Sequence, residues 1–307
     1  MKKITVIGAG NVGATTAQLI AQKGLAHVVL LDIADGLAKG KALDIQEACP
    51  LWGSSSKVLG ASSYEETTGS DIVVITAGLA RKPGMSRDDL LRSNAAIVKA
   101  AAEQIRQSSP EAIVIVVTNP MDVMAWLIYK VTGFPAHRII GMGGILDASR
   151  FAAFIADELK VSPDSIKGLV LGGHGDSMVP MPRFTTIAGI ALPNLMQPER
   201  MQALIERTRQ GGAEIAGYLK TGSAFYAPGA SVVEIIEAIL FDKGKILPCS
   251  VYLEGEYGID GIFTGVPVKI SAKGVEEIVI LDLTEEERTQ LHASALAVNT
   301  LVNTLEI

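Results

Sequence analysis

Short apolar runs without polar alternation recur through the first half of the chain: Ile4-Thr-Val-Ile7, Val28 to Leu31, Asp71-Ile-Val-Val-Ile-Thr76 and Ala112-Ile-Val-Ile-Val-Val-Thr118. Strands of a parallel sheet covered on both faces read this way. Between them, helical spacing predicts helices from about Val12 to Lys23 and from Arg87 to Ser108. The second of these carries Leu90, Asn94, Ile97, Val98, Ala101 and Ile105 at helical intervals, opens on a Ser86/Asp89 capping-box pattern and stops at Ser108-Ser-Pro110. A third helix is expected over Met121 to Thr132, and His137 to Gly141 supplies a further short strand. Alternation of this kind specifies an α/β fold built on a doubly wound parallel sheet.

After Gly141 the pattern changes. A helix is expected from about Ile145 to Leu159, one strand over Ile166 to Leu171, and a helix over Gln197 to Thr221 with a kink at Gly211-Gly212. A helix over Val232 to Leu240 precedes apolar strands around Leu247 to Leu253, Val266 to Ile270 and Val275 to Leu281. Thr284 with Glu287 forms a capping box for a last helix with Leu291, Val298, Val302 and Leu305 on its apolar stripe.

Gly8-Ala9-Gly10-Asn11-Val12-Gly13 follows the first strand directly. Gly8 permits the tight turn, Gly10 leaves room for a pyrophosphate, and Gly13 lets the helix pack on the strand. Amides at the helix N-terminus then hold the anion. Asp32 ends the second strand, where it can accept hydrogen bonds from an adenosine ribose and repel a 2′-phosphate. No cation follows it in Ile33-Ala-Asp-Gly36, which favours NAD over NADP. A glycine fingerprint alone also occurs in flavin and methyl-donor enzymes; the strand, turn, helix, strand and acid order adds the specificity. Residues 1–141 therefore read as a Rossmann NAD-binding domain and residues 142–307 as an α+β substrate domain.

Composition narrows the partners. With 33 acidic against 27 basic residues, the chain offers no wide basic face for nucleic acid. Cys49 and Cys249 fit unpaired thiols in a reducing compartment, and neither has a partner at metal-ligand spacing, so no metal is expected. Met1-Lys-Lys before the uncharged stretch Ile4 to Gln22 superficially resembles a secretory leader. Gly8, Gly10, Asn11, Gly13, Thr15 and Thr16 break that run too often for a leader or a membrane helix. A soluble, cytoplasmic protein without membrane contact is expected.

The candidate chemistry centres on His174 in Leu171-Gly-Gly-His174-Gly-Asp-Ser-Met178. An imidazole titrates near neutrality, so it can take a proton from an alcohol or give one to a carbonyl. By itself the motif reads more readily as a surface histidine in a glycine-rich turn. Asp147 and Arg150, three residues apart on one helix face, make an intrahelical ion pair if that face looks at water. If it looks at His174, Asp147 accepts the imidazole N–H and Arg150 offers a planar fork to a carboxylate. Arg81 and Arg87 sit in a charged segment that reads as a mobile lid, or they simply solubilise a loop. Asn119 hydrogen-bonds a substrate hydroxyl, caps the helix after it, or does both. His27, His137 and His292 lack neighbours of catalytic type.

Gly8 to Gly13, Asp32, Thr76-Ala-Gly78, Arg81-Lys-Pro-Gly-Met-Ser-Arg87, Val117-Thr-Asn119-Pro120, Leu146-Asp147 with Arg150, and Gly173-His174-Gly-Asp176 occur in that order. Together they resemble the lactate/malate dehydrogenase family, and within it the malate-specific subgroup with lactate-dehydrogenase-like sequence. The resemblance implies that His174 donates and accepts the proton with Asp147 as its partner. It also implies that Arg150 binds the carboxylate beside the reacting carbon and that Arg87 polarises the carbonyl. Asn119 then contacts substrate and cofactor, while Asn94 and the Val117 backbone lie along the cofactor. Gly222 to Phe225 resembles the segment lining the far side of the substrate pocket. Arg81 resembles the malate-specific branch, where lactate dehydrogenases typically carry glutamine. The implied activity is reversible hydride transfer between malate/oxaloacetate and NAD, in a homodimer or homotetramer. Because the chain starts at its first strand, assembly through an N-terminal arm is not expected. The alternatives are a lactate or other 2-hydroxy acid dehydrogenase and a non-catalytic NAD-binding sensor or scaffold. The joint presence of His174, Asp147, Arg150, Arg81 and Arg87 argues against the sensor.

Overall fold

The computed structural model describes residues 1–79 and 87–305, the side chain of Arg87 excepted. Arg81, Ser86 and the Arg87 side chain, all of which carry expectations, lie outside the described residues.

Six parallel strands, β1 (Lys3–Ile7), β2 (His27–Leu31), β3 (Val58–Ala61), β4 (Ile72–Ile75), β5 (Ile113–Val116) and β6 (Ile139–Gly141), stand in the order β6-β5-β4-β1-β2-β3. The chain winds outward one way from β1 to β3 and then crosses back to β4. A crevice therefore opens outside the carboxyl ends of β1 and β4, where open α/β sheets take ligands.

Alternate strand residues feed two cores. Ile4, Val6, Val28, Leu30, Ile72 and Val74 meet α1 (Asn11–Gln22) and α2 (Asp35–Trp52) on one face. Ile7, Val29, Leu31, Val73, Ile75 and Val114 meet α3 (Arg87–Ser108) and α4 (Met121–Thr132) on the other. Burial on both faces is why these strands are apolar throughout.

The second half opens with α5 (Gly144–Leu159). The run from Ile166 to Leu171, expected as one strand, is two. β7 (Ile166–Lys167) joins β10 (Thr186–Ile187) and β11 (Ile190–Ala191), whereas β8 (Val170–Leu171) pairs with β9 (Val179–Pro180). Gly168 lies at the break, so close to α5 that a Cβ there would stand 2.7 Å from the Ala148 carbonyl oxygen. Where a kink was expected at Gly211-Gly212, α6 (Pro198–Leu219) continues without a break through both glycines. Helix α7 (Tyr226–Leu240) begins at Tyr226 rather than Val232 and accommodates Pro228 in its first turn, where a missing N–H costs little.

Strands β12 (Lys245–Glu254), β13 (Asp260–Ser271) and β14 (Gly274–Ile278) form an antiparallel meander. Ser250 of β12 pairs with Gly141 of β6, which extends the sheet to nine strands. The last helix, α8 (Glu285–Val302), starts on the expected capping box. Thr284 Oγ1 accepts from the Glu287 N–H at 3.2 Å, and Glu287 Oε2 accepts from the Thr284 N–H at 2.9 Å. Among the described residues no helix is long and apolar enough to cross a membrane.

Thr284→Ala removes half of that box and is expected to cost about 1 kcal/mol. Calorimetry should find the melting midpoint lowered by roughly 2–4 °C. An unchanged midpoint would show that the box contributes nothing to stability.

Candidate active site

At the end of β1 the backbone turns with φ +104° at Gly8, and a Cβ there would lie 2.7 Å from the Ala77 nitrogen at the end of β4. A Cβ on Gly13 would lie 1.8 Å from the Gly8 carbonyl oxygen, so only glycine lets α1 rest on the turn. Gly10 is different: a Cβ there meets nothing within 4 Å. That open space lies at the N-terminus of α1, which has no side-chain cap and no acid in its first turn, beside Asn11 and Val12. An uncapped helix start facing open space suits the pyrophosphate of a dinucleotide.

Asp32 leaves the end of β2 beside this turn. Its Oδ2 accepts from the Ala9 N–H at 2.6 Å and its Oδ1 from the Ala34 N–H at 2.9 Å. The carboxylate is thus oriented by main chain, and each oxygen keeps a lone pair for ribose hydroxyls. Ala9 contributes to this frame through its amide, and its carbonyl oxygen accepts from Lys41 Nζ at 2.9 Å. Lys41, on α2, is a cation that inspection of only the residues just after Asp32 overlooks.

The second constellation forms where α5 meets the loop after β8. His174 Nδ1 lies 2.8 Å from Asp147 Oδ2, and Asp147 Oδ1 accepts from Arg150 Nη1 at 3.3 Å. Asp147 is 1% exposed, so it is a buried acceptor shared by an imidazole and a guanidinium rather than half of a surface ion pair. Gly143 permits the approach, since a Cβ there would stand 3.0 Å from His174 Cβ and 2.6 Å from Met121 Cε. Burial pulls the His174 pKa down, but the charge and hydrogen bond of Asp147 override it and hold the ring above the usual histidine range. Arg150 opposes this rise and Asp122 adds to it.

Arg150 is 12% exposed, and its Nε is buried without a hydrogen-bond partner among the described residues. Burial lowers its pKa while Asp147 resists, and a guanidinium remains charged under either influence. A Cβ at Gly211 would stand 3.3 Å from Arg150 Cδ, so this glycine gives the Arg150 side chain room against α6.

Asn119 is exposed just beyond β5, and its bond to Pro120 is cis. It does not cap α4, because Pro120 takes the N-cap position and no side chain caps that helix. Asn94 is buried on α3 with its amide fully engaged. Its Oδ1 accepts from the Leu79 N–H at 2.7 Å, and its Nδ2 donates to the carbonyl oxygens of Asn119 at 2.7 Å and Leu79 at 3.3 Å. It therefore ties the strand ends together with its side chain. Val117, half-buried between these strand ends, donates its N–H to the Ile75 carbonyl oxygen at 2.9 Å.

Sequence reasoning missed the groups that hold the His174 loop. Asp122 accepts from the His174 N–H, and Ser294 from the Gly173 N–H, each at 2.8 Å. The available signal was a carboxylate in the first turn of an otherwise apolar helix, Met121-Asp-Val-Met-Ala.

Residues 2–141 match the model for "lactate/malate dehydrogenase, NAD binding domain", and residues 145–306 match "lactate/malate dehydrogenase, alpha/beta C-terminal domain". The chain belongs to the lactate/malate dehydrogenase family. A malate dehydrogenase of Chloroherpeton thalassium is 55% identical over 294 residues, which cover 95% of each chain. The crystal structure of Cryptosporidium parvum malate dehydrogenase superposes with a TM-score of 0.96 at 42% identity, covering 98% of both chains. A lactate dehydrogenase from the same organism, complexed with lactic acid and nicotinamide adenine dinucleotide, gives 0.95 at 41% identity over 99% of both. The α/β fold and the NAD cofactor expected from the sequence are thereby borne out. Fold alone does not separate the family's substrates, since both kinds superpose equally well.

The contrast between two glycines is testable. Gly10→Ala should leave the melting midpoint unchanged yet weaken NADH binding at least about tenfold, because its methyl fills phosphate space. Gly13→Ala should destabilise the fold itself, by roughly 1–3 kcal/mol of overpacking. Calorimetry and fluorescence titration read the two effects separately, and equal destabilisation by both substitutions would contradict this assignment.

Proposed function

We propose that the chain is an NAD-dependent malate dehydrogenase in which His174 and Asp147 move the proton and three arginines hold the dicarboxylate. The observation that carries this reading is the buried His174–Asp147 pair beside an Arg150 whose Nε has no partner among the described residues. Relatives such as the malate dehydrogenase of Chloroherpeton thalassium support malate as substrate.

In malate oxidation, neutral His174 takes the hydroxyl proton. With Nδ1 engaged by Asp147, Nε2 is the nitrogen left to receive it. NAD, when bound along the Gly8–Gly13 turn and Asp32, supplies the acceptor for the hydride leaving the adjacent carbon. Asp147 stabilises the imidazolium that results. Arg150 receives the carboxylate beside the reacting carbon, in the bidentate manner that suits a guanidinium. Arg87 steadies the developing alkoxide, Arg81 meets the second carboxylate, and Asn119 contacts both substrate and cofactor. In the reverse direction, protonated His174 and Arg87 polarise the oxaloacetate carbonyl.

Charge balance favours oxaloacetate over pyruvate. A dianion neutralises Arg81 and Arg150 together, whereas pyruvate leaves Arg81 desolvated beside a methyl group. The two buried, unpaired thiols Cys49 and Cys249 support a reducing, cytoplasmic setting. A homodimer or homotetramer is supported by Leu43 and Leu51 on α2, which expose apolar surface that a second copy would cover.

With NADH, oxaloacetate should be reduced at a kcat/KM at least about 100-fold above pyruvate, and Arg81→Gln should shrink that ratio at least about tenfold. Comparable efficiencies in the unaltered protein would point to another 2-hydroxy acid. NADH binding without turnover of either substrate would point to a sensor.

The raised His174 pKa has a definite sign in the kinetics. Malate oxidation needs the neutral ring, so its rate should climb with pH through a value above the ordinary histidine range, while oxaloacetate reduction falls through the same value. Asp147→Asn leaves burial and Arg150 opposed only by the weaker pull of Asp122, which should move that limb to lower pH as kcat falls. His174→Asn should abolish turnover with NADH affinity intact. Retention of turnover by His174→Asn would remove the histidine from the mechanism.

A further inference from the structure

His174 stands in a loop with little stiffness of its own. Gly172, Gly173 and Gly175 surround it, with φ of +80° at Gly172 and +116° at Gly175, and glycine leaves more backbone freedom to be fixed than any other residue. The imidazole nonetheless meets Asp147 at 2.8 Å, so its main chain must be held from outside the ring. Gly172 and Gly265 of β13 exchange backbone hydrogen bonds at 2.8 and 3.1 Å, and Gly173 donates to Ser294 Oγ of α8. The amide of His174 itself donates to Asp122 Oδ2 at 2.8 Å.

Asp122 is 3% exposed, and its other oxygen accepts from Ser250 Oγ at 2.6 Å. A buried carboxylate is a costly way to satisfy one amide. The first turn of α4 offsets part of that cost through the helix dipole. Ser250 reaches it from β12, opposite Gly141, where a Cβ would stand 2.7 Å from Ser250 Cβ. Asp122 thus joins the His174 loop to α4, which follows Asn119-Pro120, and to the strand that extends the sheet.

We propose that Asp122 is a positioning residue for the reaction: braced by Ser250, its carboxylate fixes the His174 main chain and so sets how the imidazole meets Asp147 and the substrate. This rests on His174 as the proton carrier. Among the described residues, the charged groups bearing on the ring are Asp147 and Arg150 from α5 and Asp122 from α4, with Asp176 further along the same loop.

The test is Asp122→Ala beside Asp122→Asn in the full chain, with kinetics in both directions across pH and NADH titration. Asparagine keeps an oxygen for the His174 amide and an NH2 that Ser250 can accept, so it should hold kcat within about threefold. Alanine should lower kcat at least about tenfold, with KM and NADH affinity little changed. It should also move the rising limb of malate oxidation to lower pH, because the ring loses its alignment with Asp147. Unchanged kcat with an unmoved pH profile for alanine overturns the proposal, as does an asparagine variant equally impaired. If alanine prevents folding, Ser250→Ala takes its place: a fall in kcat with the same pH displacement supports the bracing, and unchanged kinetics overturn it. His174→Asn run in parallel keeps the two ideas apart, since turnover surviving there removes the proton carrier whatever Asp122 does.

Discussion

Asp147 has almost no access to water, and the arrangement around it follows from that fact. A carboxylate in such a place is tolerated only when its oxygens are occupied by strong donors, here the imidazole of His174 on one oxygen and the guanidinium of Arg150 on the other. The pairing explains why an imidazole that burial alone would keep neutral is instead disposed to hold a proton. It also leaves Arg150 only partly satisfied, with a buried Nε that suits a carboxylate arriving from solution. In the proposed mechanism, this one buried charge couples proton transfer to substrate recognition.

The same site depends on several points where backbone comes nearer than any side chain would allow. Gly143 admits His174, and Gly13 lets α1 settle on the turn after β1. Where the halves join, Gly141 sits against Ser250 and Gly265 against the Gly172 carbonyl oxygen. The first contact joins segments far apart in the chain into one nine-stranded sheet, and the second, an isolated bridge, fastens the loop after β8 to β13. They place the His174 loop against α4, whose N-terminus follows Asn119 at the end of β5. A mechanism that needs cofactor and proton carrier within one crevice is served by that continuity.

Much of this was legible in the residue pattern. Unalternating strands, the Gly8–Gly13 turn, the acid at Asp32 and the Thr284/Glu287 box are local signals, each produced by neighbours in sequence, and the structure reproduces them. The helix Met121–Thr132 matches its expected limits for the same reason. Where the reading missed, a distant segment lies against the glycine concerned: α5 packs against Gly168 at the break that splits one expected strand in two, and Arg150 lies beside Gly211, in a helix that continues through both glycines. Asn119 looked like a cap because its neighbours are those of a helix start, yet Pro120 takes that place.

The sequence by itself determined the fold class, the cofactor turn and which residue types are available for proton transfer, because periodicity and short motifs are properties of adjacent residues. Only the tertiary structure decided that Asp147 faces His174 rather than water, and that Asp122, Ser250 and Ser294 hold the histidine's loop. Those partners are separated from it by 52, 76 and 120 residues. Hydrogen bonds across such distances depend on how the halves pack, and no periodicity along the chain records that.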